Sequence, residues 1–214
     1  MGQSLRIDIV SDVVCPWCVI GYLQLQKALA TLPSDVSVDL HWQPFELNPQ
    51  MPAEGQDLRE HIVQKYGPSA GRGNGARKQL TDLGLQLGFE FNYHDNMRMV
   101  NTFKAHQLLH WAEQQGLQTE LKMALFTAFF THSQDVSQNE VLVSAATSVG
   151  LSGSEASEVL SSERYATDVR AEQKHWLEKD VHAVPAFSFN DAYPLPGAQG
   201  ETTFARYLTK VLAA

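Results

Sequence analysis

Leu5, Ile7 and Ile9 alternate with Arg6 and Asp8, the period of two that a half-buried strand requires. The run leads through Ser11-Asp12-Val13-Val14 to Cys15 and Pro16, after which Ile20, Leu23, Leu25, Ala28 and Leu29 recur at helical spacing up to Pro33. This pattern predicts a helix from about Cys15 to Ala30. Val36, Val38, Leu40 and Trp42 then alternate with Ser37, Asp39, His41 and Gln43 until Pro44, which predicts a second strand. Strand, helix and strand in that order form the unit that joins two parallel strands.

From Met51 to about Val181 the strand signal nearly vanishes, and the segment reads as several helices separated by turns. Gly67-Pro68 and the Gly71 to Gly75 stretch are expected to be loops, with further breaks at Gly116, Gly150 and Gly153. Ser137-Gln138-Asn139-Glu140 has the form of a capping box ahead of Val141, Leu142 and Ala145, and Asn101 or Thr102 is placed to cap the run that contains Phe103, Leu108 and Leu109. Ala186 to Phe189 predicts a short strand, Ala192 to Leu195 its hairpin partner, and Glu201 to Leu212 a last helix. Two sheet-forming ends cannot each bury a sheet face alone. The expected architecture is therefore a single α/β layer with a helical block packed on it.

Composition narrows the function classes. The chain has 214 residues, and 43% hydrophobic positions with 4 Trp and 10 Phe are ample for a packed core. Lys and Arg number 16 against 24 Asp and Glu, and a net charge of −8 would repel a phosphate backbone, so no nucleic-acid partner is expected. No segment approaches the ~20 apolar residues of a membrane span, no signal-peptide pattern is present, and Arg6 stands where a myristoylation signal wants Ser or Thr. A cytoplasmic protein without a membrane partner is the expectation.

The two cysteines, Cys15 and Cys18, act as one chemical unit in Cys15-Pro16-Trp17-Cys18. The pair stands where the first strand ends and the first helix begins. Unpaired N–H groups and the positive end of the helix dipole favour an anion there, so the Cys15 thiolate is expected to have a pKa below the free value of about 8.5. Pro16 suits the first helical position, and Cys18, three residues on, lies near the same face and is placed to resolve a mixed disulfide on Cys15. Zinc wants four ligands, and no second cysteine pair exists, so no metal is expected. Bridging zinc and inert packing are the bland alternatives.

Ser11 to Gly21 around the cysteines, Pro44-Phe45-Glu46-Leu47-Asn48-Pro49, Asn101 to His106, Val184-Pro185 and Gly197-Ala198-Gln199 together resemble, in order, the DsbA-like thioredoxin-fold family of the FrnE type. The resemblance implies a discontinuous thioredoxin-like domain, residues 1–50 and 182–214, split by an all-helical insertion over 51–181. It implies thiol–disulfide oxidoreductase or isomerase activity on protein or small-molecule thiols and disulfides, with no required cofactor. It further implies a cis peptide before Pro185, opposite the nucleophilic cysteine, with the Val184 backbone offered to substrate. The usual glycines before this proline are replaced by Asp180-Val181-His182-Ala183. A related branch, the kappa-class glutathione transferases and 2-hydroxychromene-2-carboxylate isomerases, matches the same blocks but has Ser in place of Cys15. Carried over from that branch, Asn48, Val184, Ala198 and Gln199 become candidate contacts for glutathione as a co-substrate.

Other signals have plainer readings. Asn48 also reads as an Asn-Pro turn with Pro49. Trp17, between the cysteines, is either a lip for an apolar substrate or packed beneath the insertion. His182 is either a neighbour of the Cys15 thiolate or a solvent-exposed loop residue. His106 and His110 have helical spacing but no third ligand and read as surface or packing residues. Phe126, Phe129 and Phe130 read as core. Three function classes follow: a thiol–disulfide oxidoreductase or isomerase, a glutathione-dependent isomerase or transferase for a small aromatic molecule, and a non-catalytic peptide-binding or chaperone-like protein.

Overall fold

The alternation at the start of the chain forms β1 (Ser4–Ser11), with Leu5, Ile7 and Ile9 fully buried. The computed structural model describes residues 3–67 and 75–214. Helix α1 (Pro16–Leu29) follows directly and buries Cys18, Val19, Ile20, Tyr22 and Leu25. Strand β2 (Ser37–Pro44) pairs parallel to β1 with Ile7 opposite Leu40 and Ile9 opposite Trp42. The right-handed crossover expected of such a unit is supplied by α1.

The helix-rich insertion comprises β3 (Gln56–Asp57), α2 (Leu58–Tyr66), α3 (Gly75–Leu87), β4 (Arg98–Met99), α4 (Phe103–Gln114), α5 (Gln118–Phe126), α6 (Asn139–Ser148), α7 (Gly153–Ser162) and α8 (Ala166–Glu178). The chain then returns to the sheet as β5 (Ala186–Phe189) and β6 (Tyr193–Pro196) before α9 (Glu201–Leu212). The sheet order is β2-β1-β5-β6, with β1–β5 and β5–β6 antiparallel. No helix among the described residues is long and apolar enough to cross a membrane.

Three details depart from the sequence expectations. β3 and β4 form a ladder of two residue pairs, too short for any periodicity to reveal. The capping box does not form. Ser137 and Gln138 both turn back to the Asp135 carboxylate, a stronger acceptor within reach, and α6 starts without a side-chain cap. At α4 the expectation holds: of its two candidates it is Asn101 whose Oδ1 accepts the Phe103 N–H, at 2.9 Å. Gly75 opens α3, and the rest of the expected Gly71 to Gly75 loop, with Pro68, lies outside the described residues.

Two features fix the site. Gly21 lets α1 lie close to the sheet: a Cβ there would meet Phe187 at 3.1 Å and Pro185 at 3.2 Å. On the opposite side, α4, α5 and α8 pack on β2. The free edge of β2 is closed by one side chain, because Gln118 accepts the Trp42 N–H at 2.8 Å and donates to the Trp42 carbonyl at 3.0 Å. That amide satisfies both backbone groups of an edge residue and blocks further strand pairing.

Phe126 is fully buried and edge-on to Trp42, with ring centroids 6.0 Å apart. It joins the insertion to the sheet. Phe126→Ala is expected to destabilise the fold by about 3–5 kcal/mol, read as the urea-unfolding midpoint, because the vacated space is walled by rigid aromatics. A loss below about 1 kcal/mol would mean that the insertion is not packed on the sheet in this way.

Candidate active site

Cys15 is the N-cap of α1, in extended backbone geometry (φ −97°, ψ 110°), and Pro16 opens the first turn. The Cys15 N–H donates to the Asp12 carbonyl at 3.2 Å, and the Cys18 N–H donates to the Cys15 carbonyl at 3.1 Å. Both sulfurs are close to the protein interior: Cys15 is 3% exposed and Cys18 0%. The Val184–Pro185 peptide is cis, and the Cys15 thiol faces the Val184 carbonyl at 3.7 Å. Strand β5 thus brings the Val184 backbone, distant in sequence, against the start of α1.

Beneath the cysteines lies a buried polar group that sequence reasoning did not assemble. Ser11, Asp12, His106 and Lys122 are each at most 2% exposed. Asp12 accepts the Leu47 N–H at 2.7 Å, and His106 Nε2 stands 3.4 Å from its other oxygen. Burial opposes the Asp12 charge, but His106, the Leu47 amide and Lys122 together hold its carboxyl below the usual range. Lys122, from α5, reaches under the sheet with its ammonium 5.1 Å from the ring centroids of both Trp42 and Phe126, and its hydrogen bond to the Ser11 carbonyl is long at 3.5 Å. Burial pushes its pKa down to about 8, against the pull of Cys18, Asp12 and Cys15.

This arrangement reverses one expectation. Helix N-terminal geometry predicted a lowered Cys15 pKa, but burial pushes the Cys15 thiol up, and its hydrogen bond with Cys18 adds to the rise. Cys18 is equally buried, yet Cys15, Ser11 and Lys122 hold it down. The two thiols therefore share their first negative charge and titrate as a pair. Because the two thiols are hydrogen-bonded, transfer of one proton between them suffices to present the charge on Cys15.

Cys15 opens onto a cavity of about 310 Å³ between α1, the segment after β2 and the insertion. Pro16, Trp17, Asn48 and Val184 line it with Cys15, as do Tyr93, Phe129 and Phe130. Trp17, 39% exposed, stands at the rim, as a substrate lip would. Asn48 forms the turn of its plainer reading and also lines the cavity. Its carbonyl accepts the Met51 N–H in a turn, while its side chain accepts from Lys65 on the cavity wall. Phe129 and Phe130 are core residues and cavity wall at once. They sit in a π-helical turn, Thr127–Thr131, whose wider backbone lets consecutive rings face the same space.

Other expected residues lie elsewhere. Ala198 and Gln199 are off the cavity: Gln199 is exposed and bonds back to the Pro196 carbonyl. His182 is exposed, 3.8 Å from Asp180. Of the two readings of His106, surface or packing, the second holds, since it is buried against Asp12, whereas His110 pairs with Glu172 at 2.9 Å. Asp12, Lys122 and Tyr93 were missed because nothing local marks them. An acid three residues before a cysteine and a lysine on an otherwise apolar helix face acquire meaning only when the insertion folds over the strand. The apolar company of Lys122, between Leu121 and Leu125, was the available signal.

Comparison with known proteins agrees with this geometry. A model described as a DSBA-like thioredoxin domain matches residues 6–209. The crystal structure of a probable DsbA oxidoreductase, SCO1869 from Streptomyces coelicolor, superposes with a TM-score of 0.91 at 30% identity, covering 98% of this chain and 90% of that one. The uncharacterized protein YwbO of Bacillus subtilis is 26% identical over 208 residues, 97% of each chain. The cytosolic disulfide reductase DsbM of Pseudomonas aeruginosa, solved with GSH, shares the fold at a TM-score of 0.63 and 15% identity, covering 98% of this chain and the whole of that one. With nearly its full length matched and a cysteine pair set at the start of α1 against a cis-proline loop, the chain belongs to the DsbA-like thioredoxin family.

Proposed function

We propose that the protein is a thiol–disulfide oxidoreductase or isomerase in which Cys15 exchanges with substrate and Cys18 resolves. The observation that carries this reading is the division of labour between the sulfurs. Cys15 faces a cavity and a backbone carbonyl, while Cys18 is sealed behind it beside a buried lysine. In the reducing direction the Cys15 thiolate attacks a substrate disulfide and releases one substrate thiolate. The Cys18 thiolate then attacks Cys15 Sγ, forming the Cys15–Cys18 disulfide and releasing the second. Two electrons pass from the dithiol to the substrate, and the same steps run backwards when the oxidised pair meets a dithiol. The Val184 carbonyl, beside the nucleophile, is placed to hold an extended thiol substrate by a backbone hydrogen bond.

The test is equilibration in graded glutathione redox buffers with intact-mass readout. A single two-electron transition between dithiol and Cys15–Cys18 disulfide is expected. No change in mass from strongly reducing to strongly oxidising buffer would overturn the reading.

A second reading rests on Asn48, whose buried Nδ2 has no partner among the described residues although it lies on the cavity wall. On that reading the cavity holds glutathione as a co-substrate of an isomerase or transferase. A persistent one-glutathione adduct in the same titration, with affinity weakened in Asn48→Ala, would favour it over the dithiol couple.

A further inference from the structure

The cavity beside Cys15 has a chemistry of its own. Apart from Cys15 its floor is apolar, built by Ile62, Leu80, Met97, Met99, Phe129 and Phe130. At about 310 Å³ it sits at the small end of ligand sites, large enough for one ring or branched chain and too small for a folded surface. Its polar fittings are few. Tyr93, from the insertion, is stacked on Phe91 with ring planes 4° apart and lies edge-on to Phe130, so its ring direction is set. Its hydroxyl is buried without a partner among the described residues, an arrangement that a bound acceptor would relieve. The Cys15 sulfur is near enough for its charge to act on that hydroxyl. Arg77 stands over the same ring, its guanidinium carbon 6.0 Å from the centroid. Lys65 and His61 complete the basic side, and the lining includes no Asp or Glu, although the whole chain carries a net charge of −8.

We propose that this cavity is a binding site for a low-molecular-weight disulfide or thiol with an apolar body and a carboxylate, the acid held by the Tyr93 hydroxyl and the Arg77 guanidinium while the sulfur meets Cys15. The substrate class rests on the exchange chemistry proposed above, whereas the binding site does not. With a disulfide R–S–S–R, the Cys15 thiolate forms Cys15–S–S–R and expels RS⁻. Cys18 then forms the Cys15–Cys18 disulfide and expels the second RS⁻. The disulfide gains the two electrons that the cysteine pair loses, and the two cysteine protons pass to solvent or to the leaving thiolates. One turnover of the reduced protein needs no other reductant. The occupant differs from a protein disulfide, which would lie along the Val184 backbone, and from glutathione, which has little apolar body to fill the floor.

The experiment has two arms. In the first, the reduced protein is mixed in single turnover with 5,5′-dithiobis(2-nitrobenzoate), 4,4′-dithiodipyridine and oxidised glutathione, and rates are compared within each substrate between wild type, Tyr93→Phe and Arg77→Gln. Each substitution is expected to slow the carboxylated aryl disulfide about tenfold and to leave the uncharged dipyridine within about twofold, because only the former loses a charge-assisted bond. Equal slowing of all three substrates, or none, would overturn the proposal. In the second arm, binding of 4-(methylthio)benzoate to Cys15→Ser protein is followed by Trp17 quenching. Saturable binding weakened by Tyr93→Phe supports the site even if no disulfide oxidises the wild-type pair, which would sink the exchange reading alone. Absence of saturation would overturn the site whatever the redox result.

Discussion

Replacing Cys15 by serine is expected to abolish thiol–disulfide exchange, a loss of at least about a thousandfold in single-turnover rate, because a hydroxyl at this pH supplies no comparable nucleophile. The geometry makes the effect one-sided. Cys18 is fully buried and separated from the cavity by Cys15, so it has no access with which to replace its neighbour. Cys18→Ser should behave differently: Cys15 still attacks, but nothing resolves the product, and mixed disulfides accumulate as adducts of defined mass. Mass spectrometry of the two variants after exposure to a substrate disulfide distinguishes these outcomes. Full turnover by Cys15→Ser would remove the cysteine pair from the reaction altogether. The buried Lys122 also predicts that wild-type attack slows at low pH with the titration of the pair as a unit, since the charge must first exist on either sulfur before it can reach Cys15.

Lys122→Met is expected to slow resolution at pH 7 about tenfold and to make the pair more reducing by about 30 mV, the equivalent of a tenfold change in the equilibrium constant. The reason lies in what faces Cys18. Against its burial, the Cys18 thiolate is supported by Cys15, Ser11 and the Lys122 ammonium, and methionine keeps the packing volume while removing the charge. A weaker thiolate means a less stable reduced form and hence a disulfide that is harder to reduce. The same substitution should raise stability. The Lys122 pKa falls from an ordinary 10.5 to about 8 in the folded state, so the unfolded chain binds the extra proton between these values. Folding is therefore penalised in full below about pH 8 and relieved as pH rises toward 10.5. The wild type should gain stability across that window relative to Lys122→Met, while the variant should be the more stable of the two at pH 7. Thermal unfolding at pH 7, 8 and 10 reads this directly, and glutathione equilibration reads the potential. An unchanged potential and an unchanged resolution rate would show that Lys122 serves packing alone.

A lysine under the cysteine pair is costly to bury, and its placement shows how the insertion contributes more than a cover. Cys15, Cys18 and Val184 come from the start of α1 and the loop before β5, while Lys122 and His106 come from helices of the insertion and Tyr93 from the segment between α3 and β4. The insertion supplies charge below the cysteines and a hydrogen-bond donor above them. An enzyme built from the sheet elements alone would have a cysteine pair but neither a shaped cavity nor a buried cation.

The amino-acid sequence by itself determined the elements and the reactive pair. Period-two alternation in Leu5 to Ile9 and helical spacing after Pro16 gave β1 and α1 to within a residue or two, because local geometry decides which side chains share a face. The junction at Cys15 was legible for the same reason, since both the strand end and the helix start are written in adjacent residues. The family blocks pointed correctly to a cis peptide before Pro185 and to a long insertion between the strands of one sheet, but that insertion is helix-rich rather than all-helical, since it carries β3 and β4. What only the tertiary structure decided depends on distance along the chain. The closing of the β2 edge by Gln118, the meeting of Asp12 with His106, and the approach of Lys122 to Cys18 join residues tens of positions apart. No window of sequence encodes such contacts. The helix dipole at Cys15 was a sound local argument, but desolvation is a property of the assembled interior, and it pushes the Cys15 thiol up.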